Sequence, residues 1–210
     1  MKADREQRKR IIVGLSGASG VIYGIRLLEI LRDLDIETHL VMSRAAQITL
    51  AMETDFKVAE VEALACHVHS NKDIGASCSS GSFRTLGMIV APCSVKTLSE
   101  IATGMTSGLL SRAADVTLKE RRRLVLMLRE TPLHLGHIRS MAQVTEAGAI
   151  ICPPVPAFYA RPQTLDEMVN HTVARVLDLF DIDTGLAHRW SGRRAVVLPN
   201  RFEDADAKTR

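Results

Sequence analysis

The sequence predicts a single α/β domain built on a parallel sheet with helices on both faces. Three observations carry this expectation. Short apolar runs suited to strands recur at Arg10–Leu15, Glu37–Met42, Met88–Ala91, Leu124–Leu128 and Ala149–Cys152. Such runs are apolar throughout rather than alternating, as strands covered on both sides are. Segments of helical pattern separate them, near 20–34, 43–52, 94–103, 108–120 and 138–147. Finally, the first run passes directly into Ser16-Gly17-Ala18-Ser19-Gly20, and a stretch with Val21, Ile25, Leu28 and Leu31 on one face follows. That is strand, glycine loop, helix. A further long helix is expected from Thr164, where Thr164-Leu165-Asp166-Glu167 reads as a capping box behind Pro162.

Composition narrows the function classes. The 210 residues suit one domain with a full core. A net charge of +3, with acids scattered among the bases, does not point to nucleic acid. Aromatic residues make up only 4%, too few for base-stacking platforms. No apolar run is long enough to span a membrane, and Ile11–Leu15 is too short for a signal-peptide core. The four cysteines, at 66, 78, 93 and 152, form no C-x-x-C pair, which fits a reduced cytoplasmic chain. Residues 1–9 read as a polar extension, 10–192 as the domain and 193–210 as a polar tail. Residues 68–83 are rich in Ser, Gly and Asn and read as a surface loop or a loop over a ligand.

In an open parallel sheet, ligands sit beyond the carboxyl ends of the strands. The residues that follow the predicted strands are Ser16 to Gly20, then Ser43 and Arg44, then Pro92-Cys93-Ser94-Val95-Lys96-Thr97, then Arg129 and Glu130, then the Pro153-Pro154 segment leading to Tyr159. Glycines, hydroxyls and arginine thus gather on one edge, a composition suited to a phosphate and a heterocycle. The glycine loop lets backbone N–H groups approach a phosphate at a helix N-terminus. Its glycines, at 14, 17 and 20, do not follow the dinucleotide spacing G-x-G-x-x-G. The second strand ends in Met42-Ser43-Arg44, with no acid to hold the ribose of NAD. Arg44 leaves NADP open, and FMN fits the loop pattern better. Glu53 and Glu130 are the candidate general acids or bases. The pairs His67/His69 and His134/His137 lack a third ligand in sequence, and no metal is expected.

At this point the motifs resemble those of the UbiX-type flavin prenyltransferases, which include the partner subunits of phenolic-acid decarboxylases. The likeness runs from about Lys9 to Gly192. It rests on Ser16–Gly20, Glu37–Ser43, Glu53-Thr54-Asp55, Ser79–Phe83, Pro92-Cys93-Ser94 with Lys96-Thr97-Leu98, Arg112–Val116 with Leu118-Lys119-Glu120, Arg129–Pro132 and Pro156–Tyr159. The resemblance implies a flavodoxin-like, Rossmann-like domain that assembles as a dodecamer with sites at subunit contacts. It implies transfer of the dimethylallyl group of dimethylallyl monophosphate to reduced FMN, at N5 and C6. The prenylated FMN would serve a UbiD-type decarboxylase in ubiquinone synthesis or aromatic-acid breakdown.

By motif, Gly17, Ala18, Ser19, Ser43, Ser94, Val95, Lys96, Thr97 and Arg129 would contact FMN. Lys119, Tyr159 and Arg175 would hold the prenyl phosphate with Arg129 near it. Arg112 occupies the matching arginine position, and Trp190 would border the prenyl group. Glu130, then Glu53, would accept the C6 proton, unless phosphate itself does. Lys119, Arg129 and Arg175 are cations enough to stabilise a departing monophosphate without metal. Two alternatives stand beside this reading. One is an FMN-dependent flavoprotein of the cysteine-decarboxylase type, whose Pro-Ala-Ser-Ala-Asn-Thr segment differs from Pro92–Thr97 here. The other is a non-catalytic FMN carrier subunit of a decarboxylase.

Overall fold

The computed structural model describes residues 9–186. Six strands form one parallel sheet: β1 (Arg10–Leu15), β2 (Glu37–Met42), β3 (His67–Ser70), β4 (Gly87–Cys93), β5 (Arg123–Leu128) and β6 (Ile150–Ile151), in the order β3-β2-β1-β4-β5-β6. Seven helices pack around it: α1 (Val21–Asp33), α2 (Arg44–Glu53), α3 (Val58–Glu62), α4 (Val95–Thr103), α5 (Leu109–Lys119), α6 (Leu135–Glu146) and α7 (Leu165–Asp178).

Side-chain alternation on the strands divides the core in two. Ile11, Val13 and Leu15 of β1 and Ile89 of β4 face one layer, with Ile25, Leu28 and Leu31 of α1 and Val173 and Leu177 of α7. Ile12, Met88 and Val90 face the other, with Leu98 of α4, Leu109 and Ala113 of α5 and Val144 of α6. The middle strands are buried on both faces, which is why they read as unbroken apolar runs.

Helix starts follow local chemistry. Ser43 caps α2, accepting from the Ala46 N–H at 3.1 Å, and Ser94 caps α4, accepting from the Thr97 N–H at 3.3 Å. At α7 the Thr164 hydroxyl accepts from the Glu167 N–H at 3.1 Å. The Glu167 carboxylate reaches one residue further back than a capping box requires, to the Gln163 N–H at 2.6 Å. Gly20, which precedes α1, sits at φ +93°, where a side chain would be strained.

Two elements depart from the expected pattern. The Ser/Gly-rich segment does not begin as a loop: β3 occupies His67–Ser70, and its polar residues tolerate an edge position. Helix α3 at Val58–Glu62 was not legible either, being little more than one turn. At the margins, β4 is longer than the apolar run, β6 is shorter, and α6 begins at Leu135. Trp190, the tail from 193 and nearly all of the N-terminal extension lie outside the described residues.

The strand order reverses between β1 and β4. There the buried Ser16 hydroxyl donates to the Pro92 carbonyl at 2.9 Å and accepts from the Ser94 N–H at 2.7 Å. Ser16→Ala would leave the part-buried Ser94 amide without its partner, while the Pro92 carbonyl keeps only the Ser16 N–H at 3.2 Å. We expect a loss of about 1–3 kcal/mol in stability, read as a lower urea midpoint at unchanged slope. An unchanged midpoint would mean that water replaces the hydroxyl.

Candidate active site

A doubly wound sheet opens a crevice where its strand order reverses, because the flanking loops leave toward opposite faces. Here a cavity of about 360 Å³ lies over that point. Its wall draws on Gly17 after β1, Ser43, Arg44 and Ala45 at the start of α2, Asn71 after β3, and Ser94, Val95, Lys96 and Thr97 at the start of α4. Glu100, Ser107, Gly108, Leu110 and Ser111 complete it. Helices α2, α4 and α5 therefore all begin on one wall. Their first N–H groups lack intrahelical partners and carry partial positive charge, and Arg44 adds a full one. This is an anion-binding surface of a size that holds a cofactor.

Close packing shapes this wall. A Cβ on Gly17 would lie 2.3 Å from the Ala45 Cβ, so only glycine lets the first loop rest against α2. Asn71 fastens the opposite side: its carbonyl accepts from the Leu109 N–H and its side-chain oxygen from the Leu110 N–H, each at 2.8 Å. Asn71 thereby caps α5 from outside that helix. Glu100, Ser107 and Ser111 carry no sequence signal of this role, and Asn71 is marked only as part of the Ser/Gly/Asn-rich segment 68–83.

The glycine loop itself differs from expectation at one point. Its helix N-terminus was predicted to meet a phosphate. Instead Glu53 Oε2 accepts from the Gly20 N–H at 2.8 Å and the Val21 N–H at 3.2 Å. Glu53 is an exposed residue at the end of α2 that caps α1, and of the loop amides ahead of Gly20 that of Ala18 donates to the Ser16 carbonyl at 2.9 Å, leaving those of Gly17 and Ser19 open. Lys96 is exposed, and its ammonium pairs with Glu100, which also accepts from the Ser107 hydroxyl.

The other expected site residues separate into groups. Arg129 and Glu130 follow β5, beside the α4 loop, with the Arg129 N–H donating to the Cys93 carbonyl at 3.0 Å. The Arg129 side chain is exposed, and Glu130 is half-buried with Oε1 accepting from the Thr131 N–H at 2.9 Å. Tyr159 lies in a short 3-10 turn beyond β6 and meets the ring of His171 edge-on, centroids 5.8 Å apart. Arg175 is one turn further along α7, exposed and paired with Asp178 at 2.6 Å.

Lys119 and Arg112 do not join the crevice within the chain. Helix α5 starts at the crevice and runs back across the sheet, roughly 16 Å at 1.5 Å per residue. Lys119, its last residue, therefore lies at the amino ends of the strands, paired with Glu120 at 2.5 Å. Arg112 pairs with Asp115 at 2.7 Å and is not part of the cavity wall. A hollow of about 530 Å³ near Lys119, lined by Arg121, Arg122, Arg123 and Phe180 among others, is larger than the crevice, but no helix begins on it.

A family model described as Flavoprotein matches residues 2–177. The flavin prenyltransferase UbiX of Escherichia coli K12 is 65% identical over 187 residues, covering 88% of this chain and 99% of that protein. The chain belongs to the UbiX-type flavin prenyltransferases. Two solved structures agree with that membership. A crystal structure of AnUbiX (PadA1) in complex with FMN and dimethylallyl pyrophosphate superposes with a TM-score of 0.88 at 53% identity, over 89% of this chain and all of that one. The dodecameric FMN-dependent UbiX-like decarboxylase from Escherichia coli O157:H7 superposes with a TM-score of 0.85 at 49% identity, over 87% of this chain and all of that one. For a flavin prenyltransferase the crevice has suitable chemistry: helix N-termini and the Arg44 guanidinium for a phosphate, with Gly17 in its wall.

Two outcomes follow for this site. Gly17→Ala forces the first loop away from Ala45, and FMN affinity should fall at least tenfold in a fluorescence titration while the fold persists. Cys93, the last residue of β4, is fully buried, and burial pushes its thiol up to about 12. It should resist alkylation at pH 8 in the native protein, whereas the exposed Cys66 reacts. Rapid modification of Cys93 would contradict that environment.

Proposed function

We propose that the chain joins the dimethylallyl group of dimethylallyl monophosphate to reduced FMN, giving prenylated FMN for a UbiD-type decarboxylase. The observation that carries this reading is the crevice between β1 and β4, in a chain 65% identical to a flavin prenyltransferase over nearly that enzyme's full length. When bound, reduced FMN supplies the nucleophile, at N5 and then at C6.

The residues divide the work as follows. The amides at Gly17 and Ser19 with Ala18 between them, the hydroxyls of Ser43, Ser94 and Thr97, and the start of α4 at Val95 and Lys96 hold the flavin. Arg129 would serve both flavin and donor and would favour the negative charge that grows on the departing phosphate. Tyr159 and Arg175 hold the donor phosphate from the α7 side. Tyr159 also offers a ring face to an allylic cation, as Trp190 would. Glu130 is the first choice to accept the C6 proton. Glu53, committed to the α1 N-terminus, is a weaker candidate and serves better as a brace for the glycine loop.

Lys119 is at the far end of its own chain, so it would serve the donor site of a neighbouring copy, and Arg112 likewise. That arrangement is natural in a dodecamer, the form of the related Escherichia coli O157:H7 protein. Residues 10–192 then act as one flavin-binding unit, with 1–9 and 193–210 as extensions. The reaction belongs to the cytoplasm. In support, Cys66, Cys78, Cys93 and Cys152 are all unpaired, and among the described residues no helix is long and apolar enough to cross a membrane.

The direct test incubates the protein anaerobically with reduced FMN and dimethylallyl monophosphate and looks by mass spectrometry for a flavin one prenyl unit heavier. Glu130→Gln should keep FMN binding and slow product formation by about 10²–10⁴-fold. A wild-type rate would remove Glu130 as proton acceptor. Mixing inactive Lys119→Ala and Glu130→Gln chains after dissociation should restore about a quarter of the sites if each site draws on two copies. No recovery in verified mixed assemblies would return Lys119 to a role within its own chain.

A further inference from the structure

His67 and His69 were read from the sequence as a pair without a third ligand. The parallel pairing of β3 with β2 sets His39 opposite His67 and Val41 opposite His69. Alternation along β2 then brings Glu37 and His39 to the same side. The result is a carboxylate and three imidazoles together at the sheet edge, distant in sequence and distinct from the flavin crevice.

We propose that Glu37, His39 and His67 form a binding site for a divalent first-row metal ion of the zinc class, with His69 orienting His39. Glu37 Oε1 lies 3.0 Å from His39 Nε2 and 3.6 Å from His67 Nε2, and the three donor atoms all lie within 4.8 Å of one another. Zinc bonds of about 2.0–2.2 Å at tetrahedral angles require donors about 3.3 Å apart. Both separations from the carboxylate are therefore close to the required spacing, with a fourth position open to solvent beside the half-exposed His67. A two-His, one-carboxylate set suits zinc, cobalt or nickel and not magnesium or calcium.

The surroundings also fit. A metal-bound imidazole commonly donates its other ring N–H to a neighbour that fixes its orientation. His39 Nδ1 lies 2.9 Å from His69 Nε2 and supplies that contact. Phe83 meets the His39 ring edge-on at 4.8 Å and shields the buried side. Burial is the main cause of lowered pKa values at both His39 and His69, which keeps their lone pairs available.

One group opposes the ion. Arg10 Nε donates to the same Glu37 oxygen at 2.9 Å. Loading must move that guanidinium to the other carboxylate oxygen or further over the Phe83 ring, whose centroid it already approaches at 5.4 Å. The competition gives the proposal a distinctive sign: removing Arg10 should tighten metal binding. An ion at this point would fasten the edge strand β3, which leads directly into Asn71 and so into the crevice wall.

The test uses the full-length, untagged assembly, stripped with chelator and titrated with Co²⁺ and then Zn²⁺. We expect one ion per chain, a visible absorption of tetrahedral Co²⁺, and its bleaching by Zn²⁺. His67→Gln alters an exposed side chain and should keep the fold by circular dichroism while weakening binding at least tenfold. His69→Gln should weaken it by a smaller factor, and Arg10→Gln should strengthen it. Absence of the tetrahedral spectrum would overturn the proposal. So would equal affinity in His67→Gln, or loss of the ion in His134→Gln in place of His67→Gln.

Discussion

The molecule turns on one buried hydroxyl. Ser16 ties the loop after β1 to the loop after β4, accepting from one backbone group of the second loop and donating to another. Those loops leave the sheet toward opposite faces, so beyond the β1–β4 ladder they are held together at Ser16, whose N–H also donates to the Pro92 carbonyl at 3.2 Å. The crevice width, the direction of α4 and the approach of Gly17 to α2 all follow from that tie. A side chain any larger would wedge the loops apart, and one without a hydroxyl would leave the Ser94 amide at the crevice wall without its partner.

Much of this arrangement was legible because it rests on local rules. The buried strands β1, β4 and β5 are apolar on both faces and stand out for that reason, whereas β2 is apolar only from Leu40 to Met42, after Glu37, Thr38 and His39. Ser43, Ser94 and Thr164 announce helix starts because a short hydroxyl side chain satisfies amides that the helix leaves open. The segment at His67–Ser70 was hidden because an edge strand needs apolar residues on neither face. Its identity depends on β2 being beside it, which no window of sequence contains. The double duty of Asn71 and the capping of α1 by Glu53 are hidden for the same reason. In each, a side chain completes a helix from a different part of the chain.

Placement of charge was the least legible property. Lys119, Arg129 and Arg175 carry the same sign and match one family motif set, yet the fold distributes them over three regions. Arg129 follows β5 beside the end of β4, Arg175 is on the α7 flank with Asp178 as partner, and Lys119 is at the opposite end of the strands. Helix direction decides this: α5 must return antiparallel to the strands, so its last residue cannot stay with its first. A site that needs all three charges must be completed across a contact between chains. The exposed apolar side chains of Met52, Leu135, Val155 and Phe158 are then natural material for such contacts.

The capping of α5 by Asn71 also bears on how the protein opens. The Leu110 amide is received by a residue 39 positions earlier, at the tip of an edge strand only four residues long. Helix α5 thus has no complete first turn until β3 has docked, and β3 cannot detach without exposing that turn. Strand and helix form one cooperative unit rather than two independently fraying pieces. Amides of Leu109 and Leu110 should therefore exchange with solvent at the opening free energy of β3, not at that of the α5 interior. A crevice wall built this way loosens as a whole or stays shut.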